Sequence, residues 1–170
     1  VHLVPAPKCK ALDIVHFSDL VAAMAVVPEI LTHRPAAIEL LDKMLLDLTR
    51  LQPAFARKMT FVEGDPAAIL IVEFYGDTVE ELQAKIQRLD HRLRSHRAVT
   101  TTVHAIRPDD QADVWALRKA GLGLLASTRG DSKPTAFVED TAVVPDNLEA
   151  YVSRFLQILS QHGTRAGFYG

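Results

Sequence analysis

The sequence is short of most features that announce chemistry on sight. It has one cysteine, Cys9, in 170 residues, which excludes an internal disulfide framework and any multi-cysteine zinc or iron–sulfur site and fits a reducing compartment. Charge of one sign is lacking too: 19 basic against 21 acidic side chains, net -2, create no field that would gather nucleic acid or an anionic membrane surface. The basic run His91-Arg92-Leu93-Arg94 reads as a solvated helix face. No apolar stretch approaches the roughly 20 residues that span a bilayer; the most apolar segment, Val21 to Leu31, holds Pro28 and Glu29. The start lacks the basic, apolar, small-residue succession of a secretory leader. No glycine-rich loop cradles phosphate, because Gly121-Leu122-Gly123 lies inside an apolar helical stretch and not between strand and helix. There is no Gly-x-Ser-x-Gly elbow.

What remains, 48% apolar and 24% charged, is the composition of a globular domain. Residues 8–17 read as a strand. Ser18 can cap a helix marked by Leu20, Ala23, Met24 and Val27, which Pro28 should kink or restart. A short strand at 36–41 flows into a helix from Lys43 to Leu51. Ala67 to Tyr75 is the clearest strand, and its run Ile69-Leu70-Ile71-Val72 lacks alternation, so part of it should be covered on both faces. Asp77 and Glu80 fit a capping box. Leu82, Ile86, Leu89 and Leu93 mark the buried face of the next helix, with Glu81–Lys85 and Asp90–Arg94 pairs on its surface. Ala98 to Ile106 makes a fourth strand. Two strand–helix–strand units in succession predict an α+β fold, a ferredoxin-like antiparallel sheet with helices on one face.

From Pro108 the pattern changes to a helix through Leu125, a polar loop, a strand at 135–138, a helix from Pro145 to His162 ended by Gly163, and the start of a strand at 165–169. Residues 1–107 are thus read as a ferredoxin-like subdomain and 108–170 as a second, truncated subdomain of similar type.

Seven histidines raise the question of a metal. His91 and His96 are five apart on a helix and do not share a face. His16 and His104 lie on neighbouring antiparallel strands, each near its C-terminal end, and so belong at opposite edges. No metal site and no catalytic residue is assigned within this chain, and Cys9 near the start is a poor nucleophile candidate. Two segments stand out. In Trp115-Ala116-Leu117-Arg118-Lys119-Ala120-Gly121-Leu122-Gly123-Leu124-Leu125, Arg118 has the planar fork that binds carboxylates, and the two glycines suit close approach of a neighbouring backbone or a cofactor. The bland alternative is a surface arginine beside a buried tryptophan. In Lys133-Pro134-Thr135-Ala136-Phe137-Val138-Glu139-Asp140-Thr141, adjacent carboxylates end a strand; they either line a cleft or cap and turn the chain.

Together these two segments, with Glu39-Leu40-Leu41-Asp42 and Met44-Leu45-Leu46, resemble the C-terminal domain of the FAD-linked oxidase family, which includes glycolate oxidase, D-lactate dehydrogenase and D-2-hydroxyglutarate dehydrogenase. The likeness is closest to large bacterial members in which flavin and iron–sulfur parts are fused. It implies a substrate-binding cap domain for a flavin-dependent 2-hydroxy acid dehydrogenase. FAD would be held mainly by another domain, and an iron–sulfur domain would belong to the same protein. Arg118 would meet the substrate carboxylate, with Glu139 and Lys133 as weaker contacts. A divalent metal would be held by paired histidines following Gly170, and this stretch alone would be inactive and without cofactor. The chain begins at Val1 without methionine and stops on Phe168-Tyr169-Gly170, which reads as two cuts through a longer protein. That protein would be cytoplasmic, or peripheral to the inner membrane, and the unpaired last strand would favour self-association. Two other classes stay open: a ferredoxin-like small-molecule-binding regulatory module and a pure interaction domain.

Overall fold

A computed structural model describes residues 6–126, 134, 135, 138 and 141–170. Four strands, β1 (Cys9–Phe17), β2 (Ala37–Asp42), β3 (Ala68–Gly76) and β4 (Val99–Ala105), form one antiparallel sheet in the order β2-β3-β1-β4. Two crossover helices, α1 (Leu20–Thr32) and α4 (Val79–Leu93), cover one face. This is the expected ferredoxin-like order.

The apolar character of β1 and β3 follows from what lies on each side. Ala11, Val15, Phe17, Leu70, Val72 and Phe74 pack with Ala23, Val27 and Ile30 of α1 and Leu82, Ile86, Leu89 and Leu93 of α4. Leu12, Ile14, Ile69 and Ile71 point the other way, toward α2 (Lys43–Arg50), a 3₁₀ turn at Met59–Phe61 and α5 (Pro108–Ala126). Each fully buried Leu, Ile or Phe contributes about 1.5–3 kcal/mol, so both layers are energetically substantial. The crossover helices keep to one face, as expected; α2 and the helix beyond residue 107 close the other. A short α3 (Pro53–Ala56) connects α2 to the 3₁₀ turn, and α6 (Leu148–Gln161) brings Val152 to the α1 side of the core.

Local details shift by a residue for physical reasons. α1 is capped by Asp19, whose carboxylate accepts the Ala22 N–H at 2.7 Å, and not by Ser18; a carboxylate is the better acceptor beside the positive helix end. The helix runs unbroken through Pro28. The capping box of α4 is Thr78 with Glu81: Thr78 Oγ1 accepts the Glu81 N–H at 3.2 Å, and Glu81 accepts the Asp77 N–H at 2.9 Å. Glu81 also pairs with Lys85 at 2.7 Å, while Asp90 turns to His104 and not to Arg94.

Among the described residues, 108–170 supply two long helices and a terminal segment. That segment does not stay unpaired. Tyr169 bridges Leu41, the Leu40 N–H donates to the Gly170 carbonyl at 2.6 Å, and the Asp42 N–H donates to that of Phe168 at 3.1 Å. The end of the chain therefore lies along the outer edge of β2.

Candidate functional site

Arg118 is placed by the stripe that buries α5. Val114, Leu117 and Leu125 face the sheet, and Gly121 follows on the same side. A Cβ at Gly121 would come within 2.8 Å of Leu45 Cδ2, so this glycine makes room for a side chain of α2, and what approaches it is neither the backbone nor the cofactor that the sequence suggested. At Gly123 nothing lies within 4 Å of such a Cβ. Arg118, next to Leu117, sits at the margin of the stripe and is half-buried, its stem along apolar surface and its head toward polar partners.

Those partners come from two other elements. Arg118 Nε donates to Glu39 Oε2 of β2 at 2.5 Å, and the guanidinium carbon lies 5.0 Å from the centre of the Tyr169 ring. The ion pair and the stacked ring hold the plane of the fork. Because Glu39 uses Nε, the edge carrying the two terminal nitrogens is the one a ligand carboxylate would take. Tyr169 is fixed in turn by the pairing at β2 and by Asp42. This buried carboxylate accepts the Leu45 N–H at 3.0 Å, capping α2, and the Phe168 N–H at 2.8 Å. Gly167 permits the approach: a Cβ there would lie 2.9 Å from Leu125 Cδ2. Burial pushes the Asp42 carboxyl up, with the Leu45 and Phe168 amides pulling the other way.

Lys133 and Glu139, the other residues singled out for substrate contact, lie outside the described residues, as do 136 and 137 of the strand expected at 135–138, while Thr135 and Val138 are described and lie in no strand. Arg118 is therefore brought together with Glu39 and Tyr169, both of which belong to segments the sequence reading had marked for other reasons.

A second polar cluster was missed. On the opposite face, Asp13 of β1, Asp90 of α4 and His104 of β4 converge, their donor atoms within 4.8 Å of one another. Asp13 and His104 are direct cross-strand partners. The available signal was an aspartate in the middle of Ala11-Leu12-Asp13-Ile14-Val15, an acid with two apolar residues on either side. His16, by contrast, is structural. Its Nδ1 is 3.0 Å from the Ile14 carbonyl, and Nε2 accepts the Glu63 N–H at 3.1 Å. The ring is thus neutral with the proton on Nδ1, and burial lowers its pKa. It pairs with Thr101 and not with His104, as its place along the strand required.

The family described as FAD linked oxidases, C-terminal domain, matches residues 6–170. The D-2-hydroxyglutarate dehydrogenase of Pseudomonas putida is 30% identical over 176 residues, covering 100% of this chain and 18% of that protein. That of Escherichia coli is 30% identical over 173 residues, 96% of this chain and 17% of the relative. The Haemophilus influenzae protein of the same name is 29% identical over 180 residues, again 100% of this chain and 17% of its own length. The chain spans less than a fifth of the length of these relatives. It belongs to the FAD-linked oxidase C-terminal domain family.

The N-termini of α1, α2, α4 and α5 do not fit the diphosphate of FAD. A diphosphate asks for free N–H groups at a helix N-terminus or a glycine-rich turn. Here side-chain oxygens of Asp19, Asp42 and Thr78 already accept the Ala22, Leu45 and Glu81 N–H groups at the starts of α1, α2 and α4, and α5 opens on Asp109 and Asp110. Carboxylates at these ends would repel the ligand. Among the described residues, no helix is long and apolar enough to cross a membrane.

Proposed function

We propose that this chain is the substrate-side domain of a flavin-dependent dehydrogenase that oxidises a 2-hydroxy acid to the 2-oxo acid. FAD is bound mainly by another domain of the same protein, with an iron–sulfur domain as a further partner in that protein. Membership of the FAD-linked oxidase family supports the flavin chemistry, and relatives named D-2-hydroxyglutarate dehydrogenase support a D-2-hydroxy acid as the substrate class. The observation that carries the role of this domain is Arg118: a guanidinium fixed through Nε by Glu39 and by the Tyr169 ring, at a half-buried position. Holding a carboxylate in a defined orientation is what aligns the reacting C2–H of such an acid, and positioning is a large part of the rate. In this reading Glu139 and Lys133 are subsidiary contacts. A divalent metal, where the full-length enzyme uses one, is held by histidines outside this chain.

Glu39 has a definite consequence here. It already balances the Arg118 charge, so a bound substrate carboxylate leaves one negative charge uncompensated at the fork. Glu39 thus orients the guanidinium while weakening the field that attracts the substrate.

The test is made in the full-length enzyme. Arg118→Ala removes a charge-assisted contact of about 1.5–3 kcal/mol per hydrogen bond, and kcat/KM on D-2-hydroxy acids should fall at least about a hundredfold. Arg118→Lys should restore only part of it, since an ammonium cannot reproduce the fork. Glu39→Gln should lower KM. If Arg118 only ties α5 to β2, Arg118→Ala and Glu39→Gln will both lower the melting temperature and leave kcat/KM of the folded enzyme unchanged, which would sink the assignment.

A further inference from the structure

The geometry points to a binding site for one divalent cation of the zinc or manganese class, made by Asp13, Asp90 and His104, that ties β1, α4 and β4 together. Asp13 lies on the face of β1 that sends Ala11, Val15 and Phe17 into the core, and it is 0% exposed. Neither of its carboxylate oxygens has a hydrogen-bond partner, and neither does Asp90 Oδ1. A buried acceptor without a donor costs about 1–3 kcal/mol, more when charged. Three such oxygens in one place ask for a cation.

The spacing suits one. His104 Nε2 is 2.9 Å from Asp90 Oδ2 and 3.8 Å from Asp13 Oδ1. Metal–ligand bonds of about 2.0–2.1 Å place neighbouring donors about 3–3.4 Å apart in tetrahedral or octahedral coordination. The two measured separations bracket that range. The ligands also come from three elements that are already fixed: a cross-strand pair, Asp13 with His104, and a helix residue above it.

Charge argues in the same direction. Two carboxylates and one imidazole sum to -1 when the histidine is protonated and -2 when it is neutral. With both acids ionised, an imidazolium balances one and leaves the other uncompensated, whereas a divalent ion with a neutral imidazole balances both. An imidazole among the donors and only two carboxylates favour zinc or manganese over calcium, which takes six to eight oxygens. Asp90 also borders a surface hollow with Arg94, Thr100 and Thr102, and His104 is 39% exposed at its side chain, so an ion and its remaining water ligands have a way in.

The 170-residue chain, stripped with a chelator, is titrated with zinc chloride and with manganese chloride at neutral pH, and binding and melting temperature are followed. One equivalent of one of these ions should bind and raise the melting temperature, while magnesium chloride gives a much smaller shift. His104→Ala and Asp13→Asn should each cut affinity at least about a hundredfold, beyond the roughly 10–100-fold loss from removing an outer supporting partner, and abolish the thermal shift. His91→Ala, an exposed histidine outside the cluster, should change neither. Should Asp13→Asn fail to fold, His104→Ala decides alone, because its side chain lies near the surface. Absence of binding, or binding that survives His104→Ala or is lost in His91→Ala, overturns the site.

Discussion

Asp13 and Asp42 are the same residue type, both buried, both in the one sheet, and they are treated in opposite ways. Asp42 ends β2, where α2 begins and the last residues of the chain arrive, and two backbone amides point at its carboxylate. Asp13 stands mid-strand in β1, where every backbone N–H is directed sideways into the ladder, and its oxygens receive none. A carboxylate at a strand end can borrow the free donors of a helix N-terminus; one in mid-strand can be compensated only by side chains, a proton or an ion. Position along the strand, more than burial, separates an acid that organises its surroundings from one that waits for a partner.

The sharpest way to break the Asp42 side of this comparison is Asp42→Ala. It removes a helix cap worth about 0.5–2 kcal/mol and leaves the Phe168 amide without its acceptor, at about 1–3 kcal/mol. A loss of about 3 kcal/mol is expected, or roughly 6–12 °C in melting temperature for a chain of this size. Asp42→Asn keeps an acceptor and should lose about 1 kcal/mol. Thermal melts of the two variants check the order; equal losses would mean that the amides at residues 45 and 168 do not depend on this side chain. The same variant should loosen Tyr169 and hence the ring beneath Arg118, so near-ultraviolet circular dichroism of the tyrosines should change with it.

These two aspartates also mark where the sequence could be read. Strand and helix order was legible because the apolar spacing is unambiguous at Leu82, Ile86, Leu89 and Leu93, and because the unalternating Ile69–Val72 run could only be covered on both faces. Arg118 was legible as a fork, but its partners were not: Glu39 lies 79 residues away, and nothing local says that β2, α5 and the chain end meet. The cap of α4 slipped by one residue because Asp77, Thr78, Glu80 and Glu81 offer two overlapping capping boxes, and only backbone geometry chooses. The Asp13 cluster escaped because His104 was weighed only against His16, at the opposite edge, and not against Asp13, which the register places across from it.

Asp13→Asn sharpens the other side. In metal-free buffer the folded state holds the Asp13 proton more tightly than the unfolded chain does, since its carboxyl is raised well above the ordinary value of 3.8. The stability associated with that proton is present below the unfolded value and is lost as pH rises through the folded one. The wild type is therefore penalised at neutral pH. The isosteric amide should gain about 1 kcal/mol there and nothing near pH 3.8. Denaturant melts at the two pH values, with chelator present, read this directly. A gain that is the same at both would show that the effect is not the Asp13 charge. With saturating zinc the order at neutral pH should reverse, because only the wild type keeps all three ligands.

The last comparison concerns how tightly the Asp42 edge is closed, and it sets two glycines of one helix side by side. Both lie in α5 two residues apart, and replacing a helical glycine by alanine gains up to about 1 kcal/mol by propensity. At Gly123 the new methyl meets open space, so Gly123→Ala should show that gain in full. At Gly121 the methyl would sit 2.8 Å from Leu45 Cδ2, inside the contact distance. Leu45 is fully buried at 0% exposure and donates its amide N–H to the capping Asp42 carboxylate, so its side chain has little room to turn. Overpacking of this kind typically costs about 1–3 kcal/mol, enough to cancel the propensity gain and leave Gly121→Ala at or slightly below wild type. The quantity to measure is the difference between the two variants, about 1–2 kcal/mol, from urea melts analysed at common slope. Equal stabilisation by both alanines would show that α2 and α5 are not in close contact at this point, and the packing that carries Arg118 to Glu39 would have to be redrawn.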